Sequence, residues 1–193
     1  GNRNGAAFIF AVPWTQLLAN GGFEDAPWDA GWVNQSADGS VAARLTNGLT
    51  AGSNNAAFIT NVTGLGLTQS VTDSGPYFTF SMVFVAGEAD EGSFSMDLRL
   101  AYATGVIHLG VRQLPGRPTS NLQLKDSSGW NNVPHDAESP GNFVNVIERS
   151  ADNGSGDGFI DPSVYRLTIV GSDFGTPEAS YAVELYEYEN TSN

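Results

Sequence analysis

The stretch that decides the fold reads Tyr77-Phe-Thr-Phe-Ser-Met-Val-Phe-Val85, in which large apolar side chains alternate with smaller or polar ones. The same alternation returns over residues 94–102, with Phe, Met, Leu, Leu and Tyr at every second position. A period of two puts one kind of side chain on each face of a strand, whereas a helix would scatter them around its axis. We therefore predict a central pair of long antiparallel strands, each with one buried and one wetter face, to which the rest of the chain adds.

Shorter alternating runs fill the remainder of the chain, and turn signals rich in glycine, proline, asparagine and aspartate separate them. Short strands with turns roughly every 8–12 residues are typical of a β-sandwich or jelly roll. We predict an all-β fold, a two-sheet antiparallel β-sandwich of jelly-roll type, in which residues 1–193 form a single domain. The strands predicted outside the central pair are residues 6–12, 40–46, 56–61, 67–72, 106–113, 120–125 and 143–149, and a closing hairpin of 164–171 and 181–188.

The composition narrows the classes of partner. The chain has 193 residues, no cysteine and a formal net charge of -13, with 21 acidic residues against 8 basic ones. The lack of cysteine excludes a disulfide scaffold and a thiolate metal site. An acidic surface repels phosphate backbones, so we expect no nucleic-acid binding. It suits cations, calcium above all, although acidity also keeps an extracellular protein soluble. No run approaches the ~20 apolar residues of a membrane span, so we expect no membrane insertion.

A family resemblance enters near the start of the chain, at Leu17-Leu-Ala-Asn-Gly-Gly-Phe-Glu-Asp25 followed by Gly31-Trp32. This pattern resembles the opening of exported bacterial β-sandwich modules, both carbohydrate-binding modules of the galactose-binding-like jelly-roll type and surface proteins of the PEP-CTERM kind. Residues 97–113, followed by 122–130, are more similar to the back sheet of concanavalin-like lectin or glucanase sandwiches. The resemblance implies an extracellular or cell-surface location and a carbohydrate partner. It leaves the oligomeric state open.

Two segments are candidates for calcium binding. In the carbohydrate-binding relatives the glutamate matching Glu24 helps to bind a structural calcium; the alternative is a turn carboxylate that accepts backbone N–H groups. Set against an EF-hand loop, Asn153, Asp157 and Asp161 occupy the first, fifth and ninth positions, but Val164 stands where a bidentate glutamate belongs. The second segment therefore predicts either a weak site, with Ca²⁺ as a structural cofactor, or a solvated glycine-rich turn.

Aromatic residues in loops are the candidates for a sugar-binding face, because a pyranose stacks its apolar face on an aromatic ring and its hydroxyls need polar neighbours. Trp28 and Trp130, the latter followed by Asn131, fit this description; the alternative is that they cap an end of the sandwich. The outward face of the central pair is predicted to form either a polar groove or an ordinary solvated face. Its members are Thr79, Ser81, Asp97 and Arg99, with His108 and Arg112 as neighbours.

Catalysis finds little support in the sequence. The chain has two histidines and neither a His-Glu-x-x-His nor a Gly-x-Ser-x-Gly motif. Glu88-Ala-Asp90-Glu91 imitates the start of a glucanase motif, but Ser93 stands where the final glutamate belongs. We expect an exported, non-catalytic binding module for a polysaccharide or surface glycan. The alternatives are a structural or adhesive surface or matrix protein, and a glycoside hydrolase-like enzyme.

Overall fold

The structure, a computed structural model, describes residues 16–35, 42–45, 54–59, 66–72, 75–85, 94–102, 105–113, 120–133, 146–147, 164–173 and 176–188. All regular secondary structure in these ranges is β-strand, and the strand pairings are antiparallel, which confirms the predicted all-β class. Within the same ranges, no helix has the length and apolar character needed to cross a membrane. The chain divides into two compact units, residues 1–74 and 75–193.

The first unit contains two small sheets. β1 (Val33–Asn34) pairs with β4 (Leu67–Thr68), and β2 (Ala42–Leu45) pairs with β3 (Ala56–Ile59). The last three of these strands lie inside runs that the sequence predicts as strands. β1 lies in a segment predicted to be loop, because two residues are too few to show an alternating pattern. The predicted strand 6–12 lies outside the described residues.

The second unit contains two larger sheets. One has the strand order β12–β11–β5, and the other has the order β10–β8–β7–β6, with β9 paired to β8. The hairpin predicted at the end of the chain is confirmed, with a register that runs from Val164 opposite Tyr188 to Ser172 opposite Ser180. The strands of this unit are β5 (Phe78–Phe84), β6 (Phe94–Tyr102), β7 (Gly105–Gln113), β8 (Ser120–Asp126), β9 (Gly129–Asn132), β10 (Val146–Ile147), β11 (Val164–Ser172) and β12 (Ser180–Tyr188).

These two sheets share one hydrophobic core, which makes the unit sandwich-like. The rings of Phe84 and Tyr165 stack with their centroids 5.8 Å apart. Full burial of an aliphatic or aromatic side chain stabilises the folded state by about 1.5–3 kcal/mol, so this cluster is a main source of stability. The three-stranded sheet contributes Phe84, Tyr165, Leu167 and Ile169, and the larger sheet contributes Ile107, Leu109, Val111 and Leu122.

The predicted central pair is wrong in its pairing, although both strands form with the predicted faces. β5 pairs with β11 and β6 pairs with β7, so the two strands belong to different sheets. Phe80 and Met82 of β5 and Leu98 and Leu100 of β6 pack against the same core. Alternation shows which face of a strand is buried but not which strand lies beside it. Two strands with apolar faces can therefore meet face to face across a core instead of edge to edge.

Candidate functional site

The side of the larger sheet that faces away from the core carries polar and charged side chains in rows across the strands. Residues that pair directly across antiparallel strands share a face of the sheet. Arg99 of β6 pairs with His108 of β7, and Lys125 of β8 pairs with Trp130 of β9. The register between β7 and β8 puts Lys125 beside His108. These four residues form one row across four strands, which we call the cationic row.

A second row of residues on the same face lies next to the cationic row, two residues along each strand, and is largely buried. It consists of Asp97, Gly110, Gln123 and Asn132. Gln123 is only 4% exposed, and its Nε2 donates to Asn132 Oδ1 over 2.9 Å. The buried Oε1 of Gln123 finds no hydrogen-bond donor in the part of the chain that the structure describes. The side chains of Asp97 and Arg99 remain 37% and 45% exposed, so the face is open where β6 carries these two residues.

Asp97, Arg99 and His108 form a connected cluster on the open part of this face. Arg99 donates through Nε to Asp97 Oδ1 at 3.2 Å and through Nη2 to Asp97 Oδ2 at 3.0 Å. The guanidinium thus binds both carboxylate oxygens in a bidentate manner. His108 Nε2 lies 2.6 Å from Asp97 Oδ1 and 3.2 Å from Arg99 Nε. His108 Nε2 cannot make both hydrogen bonds at once. When it carries a proton it donates to Asp97 Oδ1, and when it carries none it accepts from Arg99 Nε.

The electrostatics of the cluster follow from these contacts. Burial acts to raise the pKa of Asp97, but the hydrogen bonds from Arg99 and His108, together with their positive charge, outweigh it and hold the pKa below its ordinary value of 3.8. The hydrogen bond to Asp97 in turn raises the pKa of Arg99. Asp97 therefore stays ionised at neutral pH and fixes the orientation of the guanidinium.

The indole of Trp130 lies against the side chains of His108 and Lys125. Its ring meets the His108 ring edge-on, with 4.7 Å between centroids and 69° between the planes. The Nζ of Lys125 lies 5.9 Å from the centre of the indole. His108 is on β7 and Trp130 is on β9, two strands or about 10 Å away. For the two rings to be in contact, the half-buried indole must extend over β8 towards the middle of the sheet. The aromatic ring is thus part of the polar face and not a cap on the end of the sandwich.

The structure brings three of the five predicted ligand-binding residues to one face; Asn131 is not on it, and Trp28 belongs to the first unit. Arg99, Arg112 and Trp130 share the polar face, with Arg112 two positions beyond Gly110 along β7. Asn131 is the next residue after Trp130, so its side chain lies on the opposite side of the strand. There its amide donates to the Ser128 hydroxyl over 3.0 Å and supports the hairpin turn.

Thr79 and Ser81, predicted to lie on the same groove, lie instead on the outer face of the three-stranded sheet. Ser81 pairs with Thr168 of β11, and the two hydroxyl oxygens are 3.5 Å apart. The error has the same origin as the wrong pairing of β5 and β6, since the predicted groove depended on that pair. A polar groove formed jointly by β5 and β6 is therefore excluded.

Lys125 is the member of the row that the sequence analysis missed. It is the single lysine of the chain. The turn beside it is tight, because Asp126 Oδ1 accepts from the Ser128 backbone N–H at 2.7 Å and from its hydroxyl at 2.6 Å, bonds that also lower the pKa of Asp126. Asp126 then pairs with Gly129 around this two-residue turn. Once Asp126 and Gly129 are paired across the turn, the next pair of residues along the two strands is Lys125 and Trp130, so the sequence alone could have predicted that they lie opposite each other.

Trp28, the other predicted aromatic platform, lies in the first unit within a small aromatic cluster. The Phe23 ring lies 6.1 Å from Trp28 and 5.5 Å from Trp32, centroid to centroid. The amide of Asn20 donates to the Trp28 carbonyl over 2.7 Å, and the backbone oxygen of Asn20 accepts from Trp32 Nε1 over 3.2 Å. The Asn-Gly-Gly-Phe-Glu and Gly-Trp pieces are thus joined by hydrogen bonds and ring contacts, and Trp28 is half-buried among them.

Gln69, just after β4, holds the same segment from the other side. Its Oε1 accepts from the Ala19 N–H at 2.7 Å, and its Nε2 donates to the Ala19 and Gly31 carbonyl oxygens at 3.0 and 2.9 Å. Gly31 has a φ of +83°, and a Cβ added there would lie 2.9 Å from the Ala19 Cβ and 3.2 Å from Gln69 Nε2. The glycine of the Gly-Trp pair is therefore required by close packing as well as by its backbone conformation.

The candidate metal ligands are only partly described. Glu24 Oε1 accepts from the backbone N–H groups of Asn54 and Asn55 at 2.9 and 3.1 Å, and its second oxygen accepts from the Asn55 side-chain amide. Glu24 thus does what the alternative to calcium binding predicted. Across the described ranges no group of three or more His, Asp or Glu side chains could hold a metal ion. The remaining candidates, Asn153, Asp157 and Asp161, lie outside those ranges, so calcium binding stays a prediction.

The polar face can bind chemically mixed ligands. It offers an aromatic surface in Trp130, charged donors in Arg99 and Lys125, and an acceptor in Asp97, on three strands of one sheet. Strands hold such groups more rigidly than loops do, which reduces the entropy lost when a ligand binds. In comparisons with known proteins, no family model, no curated protein and no solved structure matches the chain.

Proposed function

We propose that this chain is an exported, non-catalytic module of jelly-roll type that binds a polysaccharide or surface glycan through the polar face around Trp130. The observation that supports the proposal is the contact of Trp130 with His108 and Lys125, beside the exposed Asp97–Arg99 pair. A pyranose needs an aromatic surface for its C–H face and nearby donors and acceptors for its hydroxyls. This face supplies a half-buried indole and, beside it, exposed donors and acceptors, all on one sheet.

The test is binding of the protein to a broad panel of glycans and polysaccharides, in calcium and in EDTA. We expect Trp130→Ala to weaken binding at least about tenfold, because a stacked aromatic anchor commonly carries about 1.4 kcal/mol or more. Tyr186→Ala is the matched control: Tyr186 is an exposed aromatic residue, 55% accessible, with the Arg166 guanidinium 5.4 Å from its ring, on the other sheet of the same unit. A folded protein that binds nothing on the panel would refute the proposal.

Trp28→Ala separates the two candidate platforms. Trp28 packs with Phe23 inside the first unit, so we expect its removal to lower stability and to leave glycan binding by the second unit unchanged. Loss of binding in Trp28→Ala, with normal binding in Trp130→Ala, would move the site to the first unit.

A structural or adhesive role is the second candidate. The outer face of the three-stranded sheet leaves Val170 and Tyr186 45% and 55% exposed, at positions four residues apart along the strands, and exposed apolar side chains suit contact with another protein. Under this candidate, the glycan panel gives no binding, and Val170→Asp weakens association with a matrix or surface partner.

A further inference from the structure

We infer that the glycan recognised by the cationic row is anionic, a polysaccharide whose sugar units carry carboxylate or sulfate groups. The inference rests on the proposed function, because it names the ligand class of the same face. It is drawn from the distribution of basic side chains in a chain that is otherwise acidic.

Basic residues are scarce in this chain, and three of the five that fall within the described residues lie on this face. The sequence holds 8 Lys and Arg residues against 21 Asp and Glu. Arg99, Arg112 and Lys125 all lie on the polar face of the larger sheet, together with His108, one of two histidines. A neutral sugar needs hydrogen-bonding groups of either charge, and an acidic chain would meet that need with Asp, Asn and Gln. Gathering scarce cations on one face indicates a ligand that carries negative charge.

Lys125, unlike Arg99, is not neutralised by a carboxylate on the described part of this face. Asp97 is the single carboxylate on the described part of this face, and it balances Arg99. Lys125 forms no ion pair with any described carboxylate; its contact is the indole of Trp130. The positive charge of Lys125 is therefore available to a ligand that binds the row. Arg99 also keeps binding capacity, because the grip on Asp97 uses two of its five N–H donors and leaves three for a ligand.

The spacing suits a chain of charged sugars. Arg99 and Lys125 stand two strands apart, about 10 Å, with His108 between them and Trp130 beyond Lys125. A sugar stacked on the indole would direct its anionic group to Lys125, and a neighbouring unit would reach Arg99. Charge-assisted hydrogen bonds of this kind are about twice as strong as neutral ones. Distant acidic residues cancel little of this attraction, because charges are screened over about 8 Å at physiological salt.

The experiment compares polymers that share a backbone and differ in charge: dextran with dextran sulfate, and hydroxyethyl cellulose with carboxymethyl cellulose. EDTA is present throughout, so that no calcium ion bridges protein and polymer. We expect the charged member of at least one pair to bind at least about tenfold more tightly, and this preference to shrink as salt is raised. The sulfate and carboxylate arms show which anionic group is preferred.

Two charge-removing variants and one control locate the effect. Lys125→Gln and Arg99→Gln should each weaken binding of the charged polymer about 3–10-fold and weaken binding of the neutral polymer less, because glutamine keeps an N–H donor and loses only the charge. Arg166→Gln removes a cation that is paired with an aromatic ring on the other sheet, and it should bind as the wild type does.

Each remaining outcome decides against the inference. Equal binding of neutral and charged polymers, lost in Trp130→Ala, would overturn the inference and leave the proposed function standing. A folded protein that binds no polymer overturns both. A charge preference that persists in Lys125→Gln and Arg99→Gln but falls in Arg166→Gln would move the anionic site away from the cationic row.

Discussion

Replacement of Gly31 by alanine tests the packing of the segment that carries the family resemblance. Gly31 has a φ of +83°, and its missing Cβ would lie 2.9 Å from the Ala19 Cβ and 3.2 Å from Gln69 Nε2. An L-residue in the left-handed region costs about 1–2 kcal/mol, and inserting a methyl group into a packed site costs about 1–3 kcal/mol more. We expect Gly31→Ala to lower the free energy of unfolding by about 2–5 kcal/mol.

Gly129→Ala is the matched control for this prediction. Gly129 also has a positive φ, +119°, but an added Cβ would meet nothing within 4 Å. Its replacement carries the backbone cost without the steric one, about 1–3 kcal/mol for a sparsely populated conformation. Both variants restrict the unfolded chain equally, so that contribution cancels in the comparison.

The assay is urea unfolding of each variant, followed by far-UV circular dichroism and by tryptophan fluorescence, with a third variant that combines Gly31→Ala with Ala19→Gly. Removing the Ala19 methyl removes the closest contact, so the double variant should regain about 1 kcal/mol or more. The reasoning would be refuted if Gly31→Ala cost less than about 2 kcal/mol, or if Ala19→Gly gave no relief.

Three further predictions follow from the core, the charge cluster and the calcium candidates. Leu167→Ala opens a cavity at a fully buried position and should cost about 2–5 kcal/mol, whereas Val170→Ala on the outer face should cost less than about 0.5 kcal/mol; thermal melts distinguish the two. Asp97→Asn should cost about 0.2–1 kcal/mol at neutral pH. Because the folded-state pKa of Asp97 is lowered, that difference should hold above about pH 4 and vanish as the pH falls through the folded-state value; a gap that grew in acid would contradict this sign. If Asp157 and its neighbours bind calcium structurally, EDTA should lower the melting temperature and calcium restore it, and an unchanged melt would remove that prediction.

Strands and their buried faces were predictable from the sequence, because both follow from side-chain alternation within a few residues. The apolar positions of β5 and β6 pack against the core as the alternation indicates, and the closing hairpin of β11 and β12 forms where it was predicted. Strand partners were predictable only where a short turn joins the strands. The pairing of β5 with β11 depends on residues far apart in the sequence, and no local pattern reports such a choice.

The candidate site, like the fold, was only partly predictable from the sequence. Arg99 and Trp130 were identified by residue type, and their meeting on one face requires the register of four strands, which sequence reasoning did not have. Asn131 was nominated as a neighbour of Trp130 in sequence, but adjacent residues of a strand point to opposite faces. Lys125 was within reach of the sequence, since the tight turn alone puts it opposite Trp130.

The pairing of β5 with β11 also sets the order in which this unit can be completed. Ser81 and Thr168 meet across the two strands although 87 residues separate them. At a synthesis rate of about 5–20 residues per second, β5 leaves the ribosome roughly 4–17 s before its partner. Strands β6 to β9 pair with strands that are near them in the sequence and can form during that interval. Until then the strand edge of β5 that pairs with β11 stays open, so folding in the cell should depend on the chain being kept apart from other copies until β11 arrives.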